Sequence, residues 1–95
     1  MELLPTKAER DFLQFHKENP KVFEELVALA EKARSKGRKK IGMKMLFEIV
    51  RWNRMFDTTD LKFKLNNNYT GRYARMIMET YPQYEGMFEL RELRS

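Results

Sequence analysis

The stretch GMKMLFEIVRWNRMF, residues 42–56, is apolar on almost every side when it is drawn as a helix. Only Lys44, Glu48 and Arg51 form a polar stripe along it. A helix that is hydrophobic nearly all round is usually a buried one, covered by neighbours on several sides. The pattern therefore predicts a central helix over residues 42–56 that organises the core.

Two amphipathic helices are predicted before this central segment. Thr6 opens the capping-box spacing TKAE, so the first helix is expected to begin there. Asn19 and Pro20 end this helix and start the second, because asparagine is a good N-cap and proline fits the first helical position. The second helix is expected to run to about Lys36, where Gly37 supplies the usual glycine stop.

The chain after the central segment changes its pattern twice. Residues 61–65, LKFKL, alternate apolar and basic side chains, which indicates a strand with two different faces. Three asparagines at 66–68 end this alternation, and a fourth helix is predicted from 68 to 81, before Pro82. The tail beyond it fits either a strand paired with residues 61–65 or a further helical turn.

Together these patterns predict a mainly α fold, a compact bundle of about four helices around the central apolar helix of residues 42–56. One short strand or β-hairpin accompanies the helices, an order that is compatible with a winged-helix-like arrangement. The chain has 95 residues, of which 42% are hydrophobic and 13% aromatic. We expect residues 1–95 to form a single globular domain.

The composition excludes several classes of protein. The chain has no cysteine, so disulfides and thiolate metal sites are ruled out. No apolar run approaches the roughly 18 residues that indicate a membrane span. The first residues, MELLPTKAER, lack the basic start and apolar run of a signal peptide. We therefore expect a soluble, cytoplasmic protein with no membrane partner.

The sequence offers little for catalysis. Its one histidine, His16, is not accompanied by a serine or carboxylate in any recognisable motif, so it is read as a structural residue. Glu48, Asp57 and Asp60 match neither the EF-hand spacing nor a two-metal pattern. There is no P-loop and no GxGxxG. We predict that the protein is not an enzyme and uses no catalytic residue, metal or cofactor.

A basic run after the second helix is the first candidate binding segment. The chain carries 19 Lys and Arg against 14 Asp and Glu, a formal net charge of +5. Residues 31–44 contain seven of these cations and a single acid, Glu31. The helix dipole favours cations at a helix C-terminus, which accounts for those up to Lys36 but not for residues 38–40. Such a run attracts phosphates without reading base sequence.

The start of the predicted fourth helix is the second candidate. Free N–H groups at a helix start bind phosphate when nothing bulky intervenes, and Gly71 would permit close approach. Asparagines and tyrosines are equally usual in turns and cores, so this segment also has a purely structural interpretation. The predicted nucleic-acid-binding residues of both segments are Arg38, Lys39, Lys40, Lys62, Lys64, Asn67, Gly71, Arg72 and Arg75.

Three stretches of the chain carry a resemblance to a known family. They are NPKVFEEL (19–26), IVRWNR (49–54) and FKLNNNYTGRYARMIMETYPQYEGMFELRE (63–92). In these stretches the chain resembles a family of small phage- and prophage-encoded proteins of uncharacterised function. The resemblance implies a bacterial host cytoplasm as the setting, and it carries over no functional residue.

Two functions fit these observations. The leading hypothesis is a small non-enzymatic protein that binds DNA or RNA by contacting the phosphate backbone through a basic patch. The alternative is a phage-encoded protein-interaction module that inhibits or redirects a host defence or replication protein. Exposed Met55, Met78 or Met87 beside a basic patch would favour the alternative, because adaptable apolar surface is typical of partner sites. The sequence leaves the oligomeric state open.

Overall fold

The computed structural model describes residues 4–57 and 63–88. Within these residues the chain forms four α-helices. They are α1 (Lys7–Glu18), α2 (Pro20–Ser35), α3 (Met43–Asp57) and α4 (Thr70–Thr80), with short 3-10 turns at Asn67–Tyr69 and Pro82–Tyr84. The prediction of a mainly α protein with about four helices is confirmed.

Local signals in the sequence account for most of the helix ends. The Thr6 hydroxyl accepts a hydrogen bond from the Glu9 backbone N–H at 3.1 Å and caps α1, as predicted. Asn19 differs from the prediction, because its side chain makes no cap bond to α2. Its amide instead donates to the Phe15 carbonyl at 3.1 Å, so this side chain closes α1. Proline at the first position of α2 then needs no N–H partner.

The core lies between α2, α3 and α4, and α1 packs on α2. Its buried members come from every helix and from both segments that flank α4. They are Phe12, Val22, Leu26, Ala30, Met43, Leu46, Phe47, Val50, Leu65, Tyr73, Ala74, Ile77, Tyr84, Met87 and Phe88. Phe47 and Tyr73, the largest of the fully buried side chains, meet edge to face with ring centroids 6.0 Å apart.

Helix α3 departs from the prediction of a helix covered on several sides. Its buried residues, Met43, Leu46, Phe47 and Val50, fall within one arc of the helical wheel. The opposite arc carries four of the large exposed hydrophobic side chains, which are Met45, Trp52, Met55 and Phe56. The physical reason is that α2 and α4 both pack against the same arc. The apolar character of α3 therefore continues onto the surface.

The predicted strand is wrong in its described part. Leu61 and Lys62 lie outside the described residues, and residues 63–66 form no strand. The alternation there reflects burial, since Leu65 is buried and Lys64 is exposed. The Leu65 carbonyl accepts a hydrogen bond from the Arg51 guanidinium rather than from a neighbouring strand. No hairpin is present in residues 63–88, so the winged-helix-like detail gains no support.

The chain after α4 is predicted to form either a strand paired with residues 61–65 or a further helical turn, and its described part begins with a helical turn. A 3-10 turn is followed by an isolated parallel bridge between Phe88 and Ile41. The Ile41 N–H donates to the Met87 carbonyl at 2.9 Å, so this segment reaches back to the start of α3 rather than to residues 61–65. Residues 89–95 lie outside the described part of the chain.

Candidate nucleic-acid interface

The loop between α2 and α3, residues 36–42, is anchored at both of its ends. At the α2 end, the N–H of Gly37 donates to the Arg34 carbonyl at 3.0 Å and that of Arg38 to the Ala33 carbonyl at 3.1 Å. This pair of bonds is a Schellman motif, and Gly37 adopts the left-handed φ of 86° that it requires. At the other end, the hydrogen bond of Ile41 to Met87 fixes the loop to the core. We call residues 36–44, which are this loop and the first two residues of α3, the basic loop.

The cations of the basic loop all face solvent. They are Lys36, Arg38, Lys39, Lys40 and Lys44. Within residues 4–57 and 63–88, none of these five has a carboxylate within ion-pairing distance. Backbone anchors therefore hold a short exposed segment whose five cations have no ion-pair partner among the described residues. Such a segment attracts polyanions and costs little to order on binding.

Glu31, the last acid of α2 before the basic loop, already has two partners. One of its carboxylate oxygens lies 3.2 Å from the Arg34 guanidinium, and the other accepts a hydrogen bond of 2.6 Å from the Tyr84 hydroxyl. These contacts hold the carboxylate on α2 and away from the lysines of the loop. The positive charge of the loop is consequently not neutralised by its own helix.

The bond between Tyr84 and Glu31 predicts a loss of stability in alkali. Burial of Tyr84, with a smaller contribution from its hydrogen bond to Glu31, raises its pKa from 10.0 to about 12. Stability from this shift is fully present below pH 10 and is lost as the pH rises towards 12. Between pH 10 and 12 the free energy of unfolding of the Tyr84→Phe protein should therefore fall less than that of the unchanged protein, by on the order of 2 kcal/mol.

Urea unfolding at a series of alkaline pH values measures this effect. Burial also raises the pKa of Tyr73, so some alkaline loss should persist in the Tyr84→Phe protein. Tyr81→Phe is the matched control, because the Tyr81 side chain is exposed and makes no bond to Glu31. Identical pH profiles for Tyr84→Phe and the unchanged protein would contradict this account.

The residues of the second predicted segment differ in exposure, unlike the cations of the basic loop. Lys64 and Asn67 are exposed, whereas Gly71, Arg72 and Arg75 are only partly so. The Arg72 side chain is 13% exposed and approaches the Glu9 carboxylate of α1 at 4.0 Å. Arg72 therefore lies largely between α1 and α4. Lys62, the remaining residue of this group, lies outside the described residues.

Local bonds satisfy the backbone N–H groups of residues 68–70, in the 3-10 turn and at the first position of α4. The N–H of Asn68 donates to the Asn66 side-chain oxygen at 2.8 Å, and that of Tyr69 to the Asn66 carbonyl at 3.0 Å. The N–H of Thr70 bonds to the Asn67 carbonyl. A phosphate that approached the N–H groups of residues 68–70 would have to compete with these three bonds.

Arg51 and Arg54 of α3 are structural residues that the sequence reasoning missed. The Arg51 guanidinium donates to the Glu48 carboxylate and the Asn67 side-chain oxygen, each at 2.6 Å, and to the Leu65 carbonyl. Arg54 pairs with Glu25 at 2.7 Å, and its guanidinium lies 5.2 Å from the centroid of the Phe63 ring. The two arginines clamp the segment before α4 onto α3. The side-chain oxygen of Asn67 is therefore already hydrogen-bonded to Arg51.

No signal in the sequence marks these two arginines as clamps. Asn67 lies 16 positions beyond Arg51. Only the spacing of Glu48 and Arg51 is a local pattern, and it predicts no more than an exposed pair on one helix. The structure brings Lys64 and Asn67 to the middle and end of α3, whereas the basic loop lies at its start. The basic loop and residues 64–67 therefore do not lie beside each other along α3.

Membrane-spanning helices and metal sites are two further features to consider in this fold. Of the helices in the described part of the chain, none combines the length and the hydropathy needed to cross a bilayer. The same residues contain no group of three or more histidine, aspartate or glutamate side chains arranged to hold a metal ion. Comparison with family models, curated proteins and solved structures gives no match to this chain.

Proposed function

We propose that this protein binds nucleic acid through the phosphate backbone, with the basic loop as its principal contact and without catalysing a reaction. The observation that supports the proposal most directly is the set of five exposed cations of the basic loop, the central three of which lie between two backbone anchors. Arg38, Lys39 and Lys40 lie at its centre, between Gly37 and Ile41. Phosphate contacts from such residues supply affinity that depends steeply on salt and little on base sequence.

The residues near α4 have a smaller part in this proposal. Lys64 is exposed and can add a backbone contact, as can Lys62 on the other side of Phe63. Arg72 and Arg75 are partly buried, so we assign them a supporting role in the positive field rather than direct contact. A winged-helix-like arrangement is not needed, because the basic loop does not depend on pairing of residues 61–65.

The decisive experiment removes the three central charges of the basic loop. In a protein with Arg38→Gln, Lys39→Gln and Lys40→Gln, the slope of log affinity against log salt should become shallower by about 2 to 3 for duplex DNA. Fluorescence anisotropy with duplex and single-stranded DNA across a salt series measures this slope. Both forms should bind the unchanged protein at low salt, since backbone charge is common to them.

A matched control distinguishes a site from net charge. Arg10→Gln, Lys17→Gln and Lys21→Gln remove the same one arginine and two lysines from exposed positions on α1 and α2. This control should change the slope much less than the loop variant does. An equal effect of the two variants would show binding by diffuse charge alone. Absence of binding to either nucleic acid at low salt would overturn the proposal.

The alternative function is a protein-interaction module acting on a host protein. One observation favours it, namely the exposed apolar arc of α3, which includes Met55. Met78 is half-buried and Met87 is buried, so only Met55 of the three methionines is exposed, and it lies at the end of α3 opposite to the basic loop. Capture of a defined host protein that persists after nuclease treatment would support the alternative. In either case a phage-infected bacterial cytoplasm is the setting that we propose.

A further inference from the structure

The exposed arc of α3 carries a regular apolar stripe. It consists of Met45, Ile49, Trp52 and Phe56, which follow one another at intervals of four, three and four residues. This is the spacing of a two-heptad seam, in which one helix packs along another. We call these four residues the α3 stripe. Met45, Trp52 and Phe56 are exposed, whereas Ile49 between them is half-buried and also packs against the core. No other described helix leaves three large apolar side chains exposed on one face.

The stripe is large enough to form the centre of an interface. Trp52 is 61% exposed, Phe56 68% and Met45 53%, and Met55 beside them is 65% exposed. Together these side chains present roughly 500 Å² to solvent, at the upper end of what a monomer leaves uncovered. A standard interface buries about 800 Å² on each partner, so the stripe with its rim is of the right size. The centroids of the Trp52 and Phe56 rings lie 5.1 Å apart, so the two rings are already packed together before a partner binds.

The flanks of the stripe indicate what kind of partner it fits. On one side Glu48 pairs with Arg51 at 2.6 Å and the exposed Lys44 lies one turn earlier, and on the other side lies the uncharged Asn53. A site for nucleic acid, an acidic helix or a lipid surface would be flanked by exposed cations, as the basic loop is. The α3 flanks carry one such cation, Lys44, at the start of the helix. Two identical stripes can therefore meet without opposing like charges when their two Lys44 side chains lie at opposite ends.

Charge also selects the relative direction of the two helices. The basic loop precedes α3, so a parallel pair would place two sets of five cations side by side. An antiparallel pair separates them and aligns the helix dipoles favourably, with the cationic end of one α3 near the Asp57 end of the other. We infer that a second copy of this chain packs antiparallel on the α3 stripe, related by a twofold axis between Ile49 and Trp52.

The register of this dimer follows from the helix rise. Met45 and Phe56 are separated by about 16 Å along α3, because each residue advances the helix by about 1.5 Å. In the antiparallel pair, Met45 of one copy lies against Phe56 of the other, and the two Met45 side chains are far apart. In a parallel pair the two Met45 side chains would instead meet. The arrangement is therefore open to direct chemical test.

The absence of cysteine makes that test sharp. Met45→Cys and Phe56→Cys proteins are prepared separately, mixed and oxidised, and any disulfide must join two chains. The mixed disulfide is expected to form at least about tenfold faster than the disulfide between two Met45→Cys chains. Equal rates, or faster coupling of Met45→Cys with itself, would overturn the antiparallel arrangement.

Sedimentation equilibrium of the full chain without nucleic acid measures the association itself. The protein should dimerise at micromolar concentration, and Trp52→Glu should weaken the dimer about 30-fold or more. Leu13→Glu is the matched control, since Leu13 is an equally exposed apolar residue on α1. A protein that stays monomeric at all concentrations would overturn the inference and leave the stripe to a heterologous helix. Equal weakening by Leu13→Glu would also overturn it.

A consequence for binding follows if the proposed function holds. The antiparallel pair carries its two basic loops at opposite ends, at a separation on the order of one turn of duplex DNA, about 34 Å. Trp52→Glu should then lower affinity for duplex DNA more than Leu13→Glu does. Dimerisation is measured without nucleic acid, so a failure of the dimer and a failure of nucleic-acid binding are seen separately.

Discussion

Replacing Phe47 by alanine is expected to lower the free energy of unfolding by about 4 kcal/mol, the largest single effect that we predict. Phe47 is completely buried at the centre of α3, against the edge of Tyr73 and beneath the guanidinium of Arg51. Deleting its ring removes buried apolar area and leaves a cavity that the surrounding helices fill only in part. A domain of this size is stable by about 5 to 15 kcal/mol, so a large share of its stability is at stake.

Phe56→Ala is the matched control for this prediction. It deletes the same ring from the same helix, but the Phe56 side chain is 68% exposed. We expect its effect on the free energy of unfolding to stay within about 0.5 kcal/mol. Both proteins are unfolded in urea at a concentration below that at which the chain associates, with helicity followed by circular dichroism. Comparable losses in the two variants would contradict the placement of Phe47 in the core and Phe56 on the surface.

Arg51→Ala is expected to cost about 2 to 3 kcal/mol of stability. The guanidinium donates to the Leu65 carbonyl and to the Asn67 side chain, and hydrogen bonds to charged groups are worth roughly 1.5 to 3 kcal/mol. Its loss leaves the partly buried Leu65 carbonyl bond unmade and releases the segment before α4 from α3. Arg51→Lys should recover little, because a single ammonium does not reproduce the fork that reaches both acceptors.

Arg34→Ala is the matched control for Arg51. Arg34 likewise pairs with a glutamate three residues before it, but this guanidinium is about half exposed and makes no hydrogen bond to another described segment. Exposed pairs of this kind contribute roughly 0 to 1 kcal/mol. A double-mutant cycle of Arg51→Ala with Asn67→Ala should yield a coupling energy of about 1 kcal/mol. If the two effects add without coupling, the clamp does not operate as described.

The helix ends were predictable because their causes lie within a few residues of each other. The Thr6 cap, the proline that starts α2 and the glycine that stops it each involve contacts across one turn of helix. The geometry of such contacts is nearly independent of the rest of the protein. Asn19 is the exception, since the end of one helix and the start of the next competed for its side chain. A sequence pattern alone does not decide that competition.

The predictions that failed concern contacts between distant parts of the chain. The alternation of residues 63–65 correctly separates buried Leu65 from exposed Lys64, but it does not specify what satisfies the backbone there. Arg51, 14 positions earlier, provides the bond that a strand would have provided. The basic loop was recognisable from composition, whereas its two anchors and the engagement of Glu31 by Tyr84 depend on the packing of α2 against the chain after α4.

Helix α3 shows most clearly which features of this protein its local sequence determines and which its tertiary structure determines. Its apolar pattern is sufficient to make it a helix at the core, because burial of Phe47 and Val50 is favourable in any packing that the other helices allow. The number of its sides that become covered depends on how many helices reach it, and α2 and α4 share a single arc. Hydrophobicity is a property of each residue, whereas burial is a property of its neighbours. That difference leaves Trp52 and Phe56 at the surface and available to a second copy of the chain.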